Sequence, residues 1–421
     1  MIIAINARTL RAVPRDGIGW FTYEVIRGMV RNHPEHRFVL IGDRRYDRLT
    51  LKSGGKGKRL KTEDSRKDEG VPGKGNRQYE QLLAPDHRKY GGFPVEGSNV
   101  EYVTIPLHTV HPLLWHFWHE YLLPPVLKRI RADVFIAPDG MMPLRTDVPC
   151  IPVIHDLNHE HRQGDIPRGE CRYYRKRFPQ FVQKGVRVAT VSHFSAGDIA
   201  ATYGISPDKI DVVPNGVADI FSPPLPGEAE ETRKQYTGGR PYFLFVSNFS
   251  PRKNVEAVIK AFELFRQRGG GDHVLLLAGR RLYLTSEMDE HLEASPYGND
   301  ILFTGSVTRD VLRRLYGAAE ALTFVPWLEG FGIPVVEAQR CGTPCILSDS
   351  SSLPEVSGGA ALCVSPADAG AIAEAMARLV TDGALRRRLV AEGYANSLRY
   401  SWETAAAEMW NSVIKATGGA R

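Results

Sequence analysis

Apolar runs of strand length recur along the chain at residues 1–7, 37–41, 100–105, 134–137, 150–154, 188–191 and 210–213. A second series follows at 242–246, 274–278, 301–303 and 321–325. Between them the apolar positions change to helical spacing, as over 18–30, 168–183, 192–203 and 255–268. Strands that are apolar on both faces and alternate with amphipathic helices predict parallel sheets covered by helices, an α/β protein. A helix is also predicted from the Ser401 cap to Ile414, with Ser192 and Ser195 as candidate caps of the helix that ends near Tyr203.

Two stretches break the rhythm. Residues 52–97 are rich in Gly, Lys, Arg and Asp with little periodicity, and are expected to form a flexible basic insertion. Residues 221–239 carry Pro, Glu and Gly without a sustained pattern and mark a domain boundary. The expected division is 1–222, 240–400 and a C-terminal helical segment 401–421.

The chain has 421 residues, 43% of them hydrophobic, enough for two sizeable cores. The start reads as a first strand and not as a signal segment, and no apolar run reaches the length of a membrane span. Five cysteines without a framework suit a reducing compartment, and Cys341 and Cys345 lack companions at zinc-ligand spacing. A net charge of +6 admits a phosphorylated substrate or an anionic membrane face, while no nucleic-acid-binding motif is present.

Candidate chemistry gathers at strand ends. After the strand at 321–325, Glu329 stands in a loop with Gly330 and Gly332, and Glu337 follows in a helix; both carboxylates can accept hydroxyl hydrogen bonds, although helix capping alone would also favour an acid there. Arg252 and Lys253, in the first strand-to-helix loop of the second domain, suit a diphosphate. His155 and Asp156 end the strand 150–154, where ligands of doubly wound sheets gather, with a structural histidine as the alternative. The glycine-bearing first loop, Gly17 and Gly19, hints at a dinucleotide fingerprint with Asp43 as the ribose acid, but Thr22 replaces its third glycine. Tyr174 and Arg175 belong to a basic-aromatic stretch that reads either as a solvated helix face or as a contact for an acceptor phosphate or lipid headgroup. The aromatic run 115–121 reads as core, or alternatively as an interfacial patch.

In order, Asp16-Gly17-Ile18-Gly19, Val153-Ile154-His155-Asp156-Leu157, Thr190 to Ser195, Val213 to Val217, Pro251-Arg252-Lys253-Asn254, the paired-Glu loop and Ser351 to Val356 together resemble the retaining nucleotide-sugar glycosyltransferases of family four. The resemblance spans nearly the whole chain except the insertion. It implies a GT-B fold, two Rossmann-like domains facing across a cleft, with the donor on the second and with the C-terminal segment 401–421 crossing back to the first domain. It further implies that Arg252 and Lys253 neutralise the donor diphosphate, that Glu329 with the Gly330, Phe331, Gly332 and Ile333 segment holds the transferred sugar, and that Glu337 takes the ribose. Val307 is then expected at the base, His155 beside the reacting sugar, and Gly17 and Gly19 facing diphosphate and acceptor. Ser247 stands where the family usually has Gly, and the basic insertion is atypical, so acceptor contacts do not transfer; Asp156, Tyr174 and Arg175 are the residues' own candidates for that side.

The resemblance implies no cofactor and no metal, because two fixed cations can do a metal's electrostatic work. The expected enzyme is a cytoplasmic transferase, at the cytoplasmic membrane face if it contacts lipid, that moves a hexosyl group to a glycan or lipid-linked glycan. GDP-mannose is the first donor candidate against UDP- and dTDP-sugars. A sugar-nucleotide epimerase and a catalytically silent binding protein are the alternatives in the same fold, and a dehydrogenase is a weaker one.

Overall fold

A computed structural model describes residues 1–11, 17–43, 95, 97–107, 109, 111–280 and 286–418. The expected insertion at 52–97 lies outside these residues apart from Val95 and Gly97, as does Asp16. The strands are β1 (Ile2–Asn6), β2 (Arg37–Gly42), β3 (Val100–Thr104), β4 (Val134–Ala137), β5 (Cys150–Ile154), β6 (Val188–Thr190), β7 (Ile210–Val212), β8 (Tyr242–Val246), β9 (Val274–Ala278), β10 (Ile301–Gly305), β11 (Ala321–Phe324), β12 (Cys345–Ser348) and β13 (Leu362–Val364).

They form two parallel sheets, ordered β3-β2-β1-β4-β5-β6-β7 and β10-β9-β8-β11-β12-β13. The central strands are buried along their length, from Ile3 to Ile5 and from Phe243 to Phe245, so their sequences are apolar without alternation. Strand order reverses between β1 and β4 in the first sheet, where Ile5 pairs with Ile136, and between β8 and β11 in the second, where Leu244 pairs with Leu322. At such a reversal neighbouring loops leave in opposite directions and open a crevice at the carboxyl ends of the strands.

The helix Trp402–Ala416 packs along the first helix, Gly17–Asn32. A Cβ on Gly28 would lie 2.5 Å from that of Ala406, so the two backbones approach as closely as side chains allow. Within 221–239 the chain forms an unexpected helix, Glu228–Thr237. Three glutamates in its first turn suit the helix dipole, and Glu228 pairs with Arg313. Its buried residues are Thr232, Tyr236 and Thr237, which leave little apolar periodicity to read. Ser192 caps the helix His193–Tyr203, whereas Ser195 lies inside it.

The aromatic run divides. A helix, Pro112–Phe117, passes into a π-helical turn, Trp118–Leu122; Trp115 and Trp118 are buried, while Phe117 and Tyr121 face solvent.

Candidate functional site

The loops leaving β8 and β11 flank the reversal point of the second sheet, and bring Arg252 and Lys253 onto Glu329. Arg252 Nη1 donates to Glu329 Oε2 at 3.0 Å and to the Leu328 carbonyl at 2.9 Å, and Lys253 Nζ binds the same carboxylate oxygen. Asp156, from the first domain, lies 3.8 Å from Arg252. Burial alone would lift the Asp156 carboxyl, but Arg252, the Asn158 amide and Lys253 hold it below its ordinary value. Burial lowers the Lys253 ammonium, with Arg252 adding to the effect and Glu329 opposing it; Arg252 is held above its ordinary value by Glu329 and Asp156 despite burial. Two cations and two carboxylates thus form one nearly neutral cluster.

Local geometry fixes this cluster. Asn254 adopts a left-handed conformation, φ 57°, and its side-chain amide donates to the carbonyls of Val325 at 3.0 Å and Pro366 at 2.8 Å. The Glu329 amide donates to Ser351 Oγ at 3.2 Å, and Ser352 Oγ donates to the Glu329 carbonyl at 2.9 Å. Gly332, φ 90°, opens the helix Ile333–Arg340, a turn that a side chain would strain.

The loop also meets the first domain. A Cβ on Gly330 would lie 1.9 Å from the His155 carbonyl oxygen. Ser192 and Ser195 donate their hydroxyls to the Gly330 carbonyl at 2.7 and 3.2 Å. Glu355 accepts the amides of His193 and Phe194, both at 2.8 Å, at the N-terminus of the first-domain helix His193–Tyr203. His155 donates Nε2–H to the Pro138 carbonyl at 2.9 Å, with its ring edge-on to Phe21.

The other expected residues fall around this centre. Gly17 begins the first helix, and a Cβ there would lie 3.6 Å from Ile333; Gly19, two residues further on, is buried. Phe331 is buried against Tyr400. Glu337 is buried, with Tyr316 donating to it at 3.2 Å, and burial raises its carboxyl to about 7 against the opposing charge of Arg309. Val307 follows β10 and packs on the core.

On the acceptor side the candidates separate. Tyr174 stacks on Trp115 with ring centroids 5.8 Å apart, whereas Arg175 is turned to Glu160 at 3.0 Å and Gln163 at 3.2 Å. Asp43 accepts from the Thr109 hydroxyl at 2.7 Å, a bond internal to the first domain.

The family model "Glycosyl transferases group 1" matches residues 228–396 and "Glycosyltransferase Family 4" matches 76–221. The chain belongs to the group 1 glycosyltransferases of family 4. This glycosyltransferase is 26% identical over 287 residues to O-antigen chain mannosyltransferase B of Escherichia coli, covering 68% of this chain and 75% of that one. It is 29% identical over 276 residues to the serotype-specific mannosyltransferase WbdA of Escherichia coli; the match takes in 64% of this chain and only 33% of WbdA, about a third of that relative's length. Among solved structures it resembles Anabaena Alr3699/HepE in complex with UDP and glucose, with a TM-score of 0.65, 14% identity and 98% of each chain covered. Its fold is GT-B.

Sequence reasoning gave Ser192 and Ser195 only a capping role and gave none to Asn254, Ser351, Ser352 and Glu355, although all lie in or beside motifs that carried the resemblance. Their task is to hold other groups, and short polar side chains announce that only through their partners.

Proposed function

We propose that this glycosyltransferase moves a hexosyl group, mannosyl as the first candidate, from a nucleotide sugar to a glycan with retention at the transferred carbon. The observation that carries this reading is the Arg252–Lys253–Glu329 cluster at the reversal point of the second sheet. An arriving diphosphate takes over the two cations, since phosphate oxygens offer more acceptors than one carboxylate. Glu329, released from them, accepts hydroxyls of the transferred sugar beside the Gly330–Ile333 segment. Glu337 accepts the ribose hydroxyls, and Val307 contacts the base.

As the glycosidic bond breaks, negative charge grows on the leaving diphosphate, where Arg252 and Lys253 stabilise it in a site already arranged for that charge. His155 borders the reacting sugar, and the Gly17–Gly19 turn faces the diphosphate. The acceptor hydroxyl attacks from the face the leaving group vacates, and a leaving phosphate oxygen receives its proton. The names of the two mannosyltransferase relatives support a mannosyl group and, for the O-antigen enzyme, a polysaccharide product, and the UDP and glucose in the Anabaena structure support a nucleotide-sugar donor in this fold.

The acceptor end of the reaction is placed at an anionic membrane face. Leu113, Phe117 and Tyr121 recur every fourth residue and are 72, 47 and 44% exposed. Arg145 lies 4.6 Å over the Tyr121 ring, and Arg177 binds His116 at 3.1 Å. Apolar side chains flanked by cations suit a lipid interface carrying negative charge.

The donor reading is tested by thermal shift with GDP-mannose, UDP-glucose and a dTDP-sugar on wild type and Lys253→Ala. One donor is expected to stabilise the wild type, with affinity in the variant about ten- to a hundredfold weaker, the usual worth of a charged hydrogen bond. No stabilisation by any donor, or an undiminished shift in the variant, overturns it.

A further inference from the structure

The first sheet has its own reversal point, between β1 and β4, and a polar cluster fills it. Asn6, the last residue of β1, donates to both carboxylate oxygens of Asp139, just beyond β4, at 3.0 and 3.2 Å. Arg8 Nη1 lies 3.7 Å from the same carboxylate and 3.5 Å from His119 Nε2. His119 donates Nδ1–H to the Trp115 carbonyl at 2.7 Å, which leaves Nε2 as an acceptor toward Arg8. Burial first, and then Arg8, push the His119 imidazole down to about 3, so it is neutral at physiological pH. Burial lifts the Asp139 carboxyl above its ordinary value, with Arg8 and the Met141 amide opposing the rise.

Within this network the Arg8 guanidinium is held but not saturated. Its side chain is 11% exposed, and its buried Nε–H has no hydrogen-bond partner among the described residues. A buried donor left unmatched in a native site calls for an explanation, and a ligand is one. The setting agrees. Asp139 is close enough to His155 to feel its charge, and the His155 carbonyl is the point at which Gly330 of the donor-side loop touches the first domain. Arg8 therefore lies in the first-domain crevice one step from the reacting centre, as Arg252 and Lys253 lie in the second-domain crevice.

We infer that Arg8 binds the acceptor, and that Arg8 and Asp139 together recognise adjacent hydroxyls of an uncharged sugar. The inference rests on the transferase reading above. Arg8 supplies donors and Asp139 supplies acceptors, which matches a diol, whose hydroxyls both give and take hydrogen bonds, better than an anion, which only takes them. Asn6 and His119 are positioning residues that fix the carboxylate and the guanidinium. The cluster differs from the donor-side one in composition: there two adjacent cations share one carboxylate oxygen of Glu329, whereas here a single cation faces Asp139.

The test uses the full chain, GDP-mannose as donor, and two probes, an α-linked mannobiose and mannose 6-phosphate. Wild type is expected to glycosylate mannobiose and to be unaffected by mannose 6-phosphate. Arg8→Lys keeps the charge but loses the planar fork, and Asp139→Asn keeps the shape but loses an acceptor. Each should raise KM for mannobiose about tenfold or more. The donor-induced thermal shift should persist in both, which shows that the variants are folded and bind donor. An unchanged KM in Arg8→Lys overturns the assignment. Competition by mannose 6-phosphate that disappears in Arg8→Lys overturns the uncharged class, as does wild type that binds donor but leaves mannobiose untouched. Wild type without a thermal shift from GDP-mannose, UDP-glucose or a dTDP-sugar sinks the transferase reading instead.

Discussion

Glu337 shows how burial can tune a binding group. Its carboxyl, ordinarily near 4.5, is raised to about 7 by loss of water, with Arg309 and the Tyr316 hydroxyl opposing the rise. Two consequences have opposite signs. The neutral form fits the buried site better, so its contribution to stability is complete below about 4.5 and is lost as pH rises through about 7. Hydroxyl binding, in contrast, needs the carboxylate as an acceptor, so donor affinity should increase as pH rises through the same range. Titration calorimetry of the donor between pH 5.5 and 8.5 on wild type and Glu337→Gln checks this. The variant should bind more weakly at high pH and show a flat profile across about pH 7; a wild-type profile equally flat would remove Glu337 from the ribose. No such behaviour could be read from the sequence, in which Glu337 is one acid on a helix. Its environment comes from Tyr316 and Arg309, brought in by a separate helix.

Among the loops and strands, Gly330 carries the clearest expectation. The Cβ that Gly330→Ala adds would meet the His155 carbonyl at 1.9 Å, across the cleft and not within one domain. The protein should therefore fold normally but close poorly. Overpacking costs about 1–3 kcal/mol, so kcat/KM should fall about ten- to a hundredfold with little change in Tm. Wild-type transfer rates in this variant would show that the contact plays no part in turnover. Strands β1 to β11 were legible because both faces of a parallel sheet are buried, as over Tyr242 to Val246, whereas β12 and β13, short runs of four and three residues, were not read. The charged loop residues were legible because Arg252, Lys253 and Glu329 stand just beyond such strands. Contacts across the cleft were not. Glu355 finds the amides of His193 and Phe194 more than 160 residues away, and a carboxylate meeting a backbone leaves no periodic trace. The helix Glu228–Thr237 was missed for a related reason, since it buries two threonines and a tyrosine in place of an apolar stripe.

On the scale of the whole molecule, the face carrying Leu113, Phe117 and Tyr121 belongs to the domain proposed to hold the acceptor, and docking of that face on a bilayer is the proposed route by which a lipid-linked glycan reaches the cleft. Co-sedimentation with phosphatidylglycerol-containing vesicles should capture the wild type, release it at high salt, and fail for Phe117→Asp, while phosphatidylcholine vesicles capture little. Equal capture by both lipids, or capture that survives the substitution, removes this face as the contact. The join between the domains has a thermodynamic character of its own. At the loop that holds Gly330 its polar part consists of serine hydroxyls on the Gly330 carbonyl and of Glu355 on two amides. Hydrogen bonds of this kind form with little change in heat capacity. If donor binding brings these contacts together, their share of the closing enthalpy stays nearly constant across the growth range, and any temperature dependence of closing comes from the apolar groups beside them, such as Phe331.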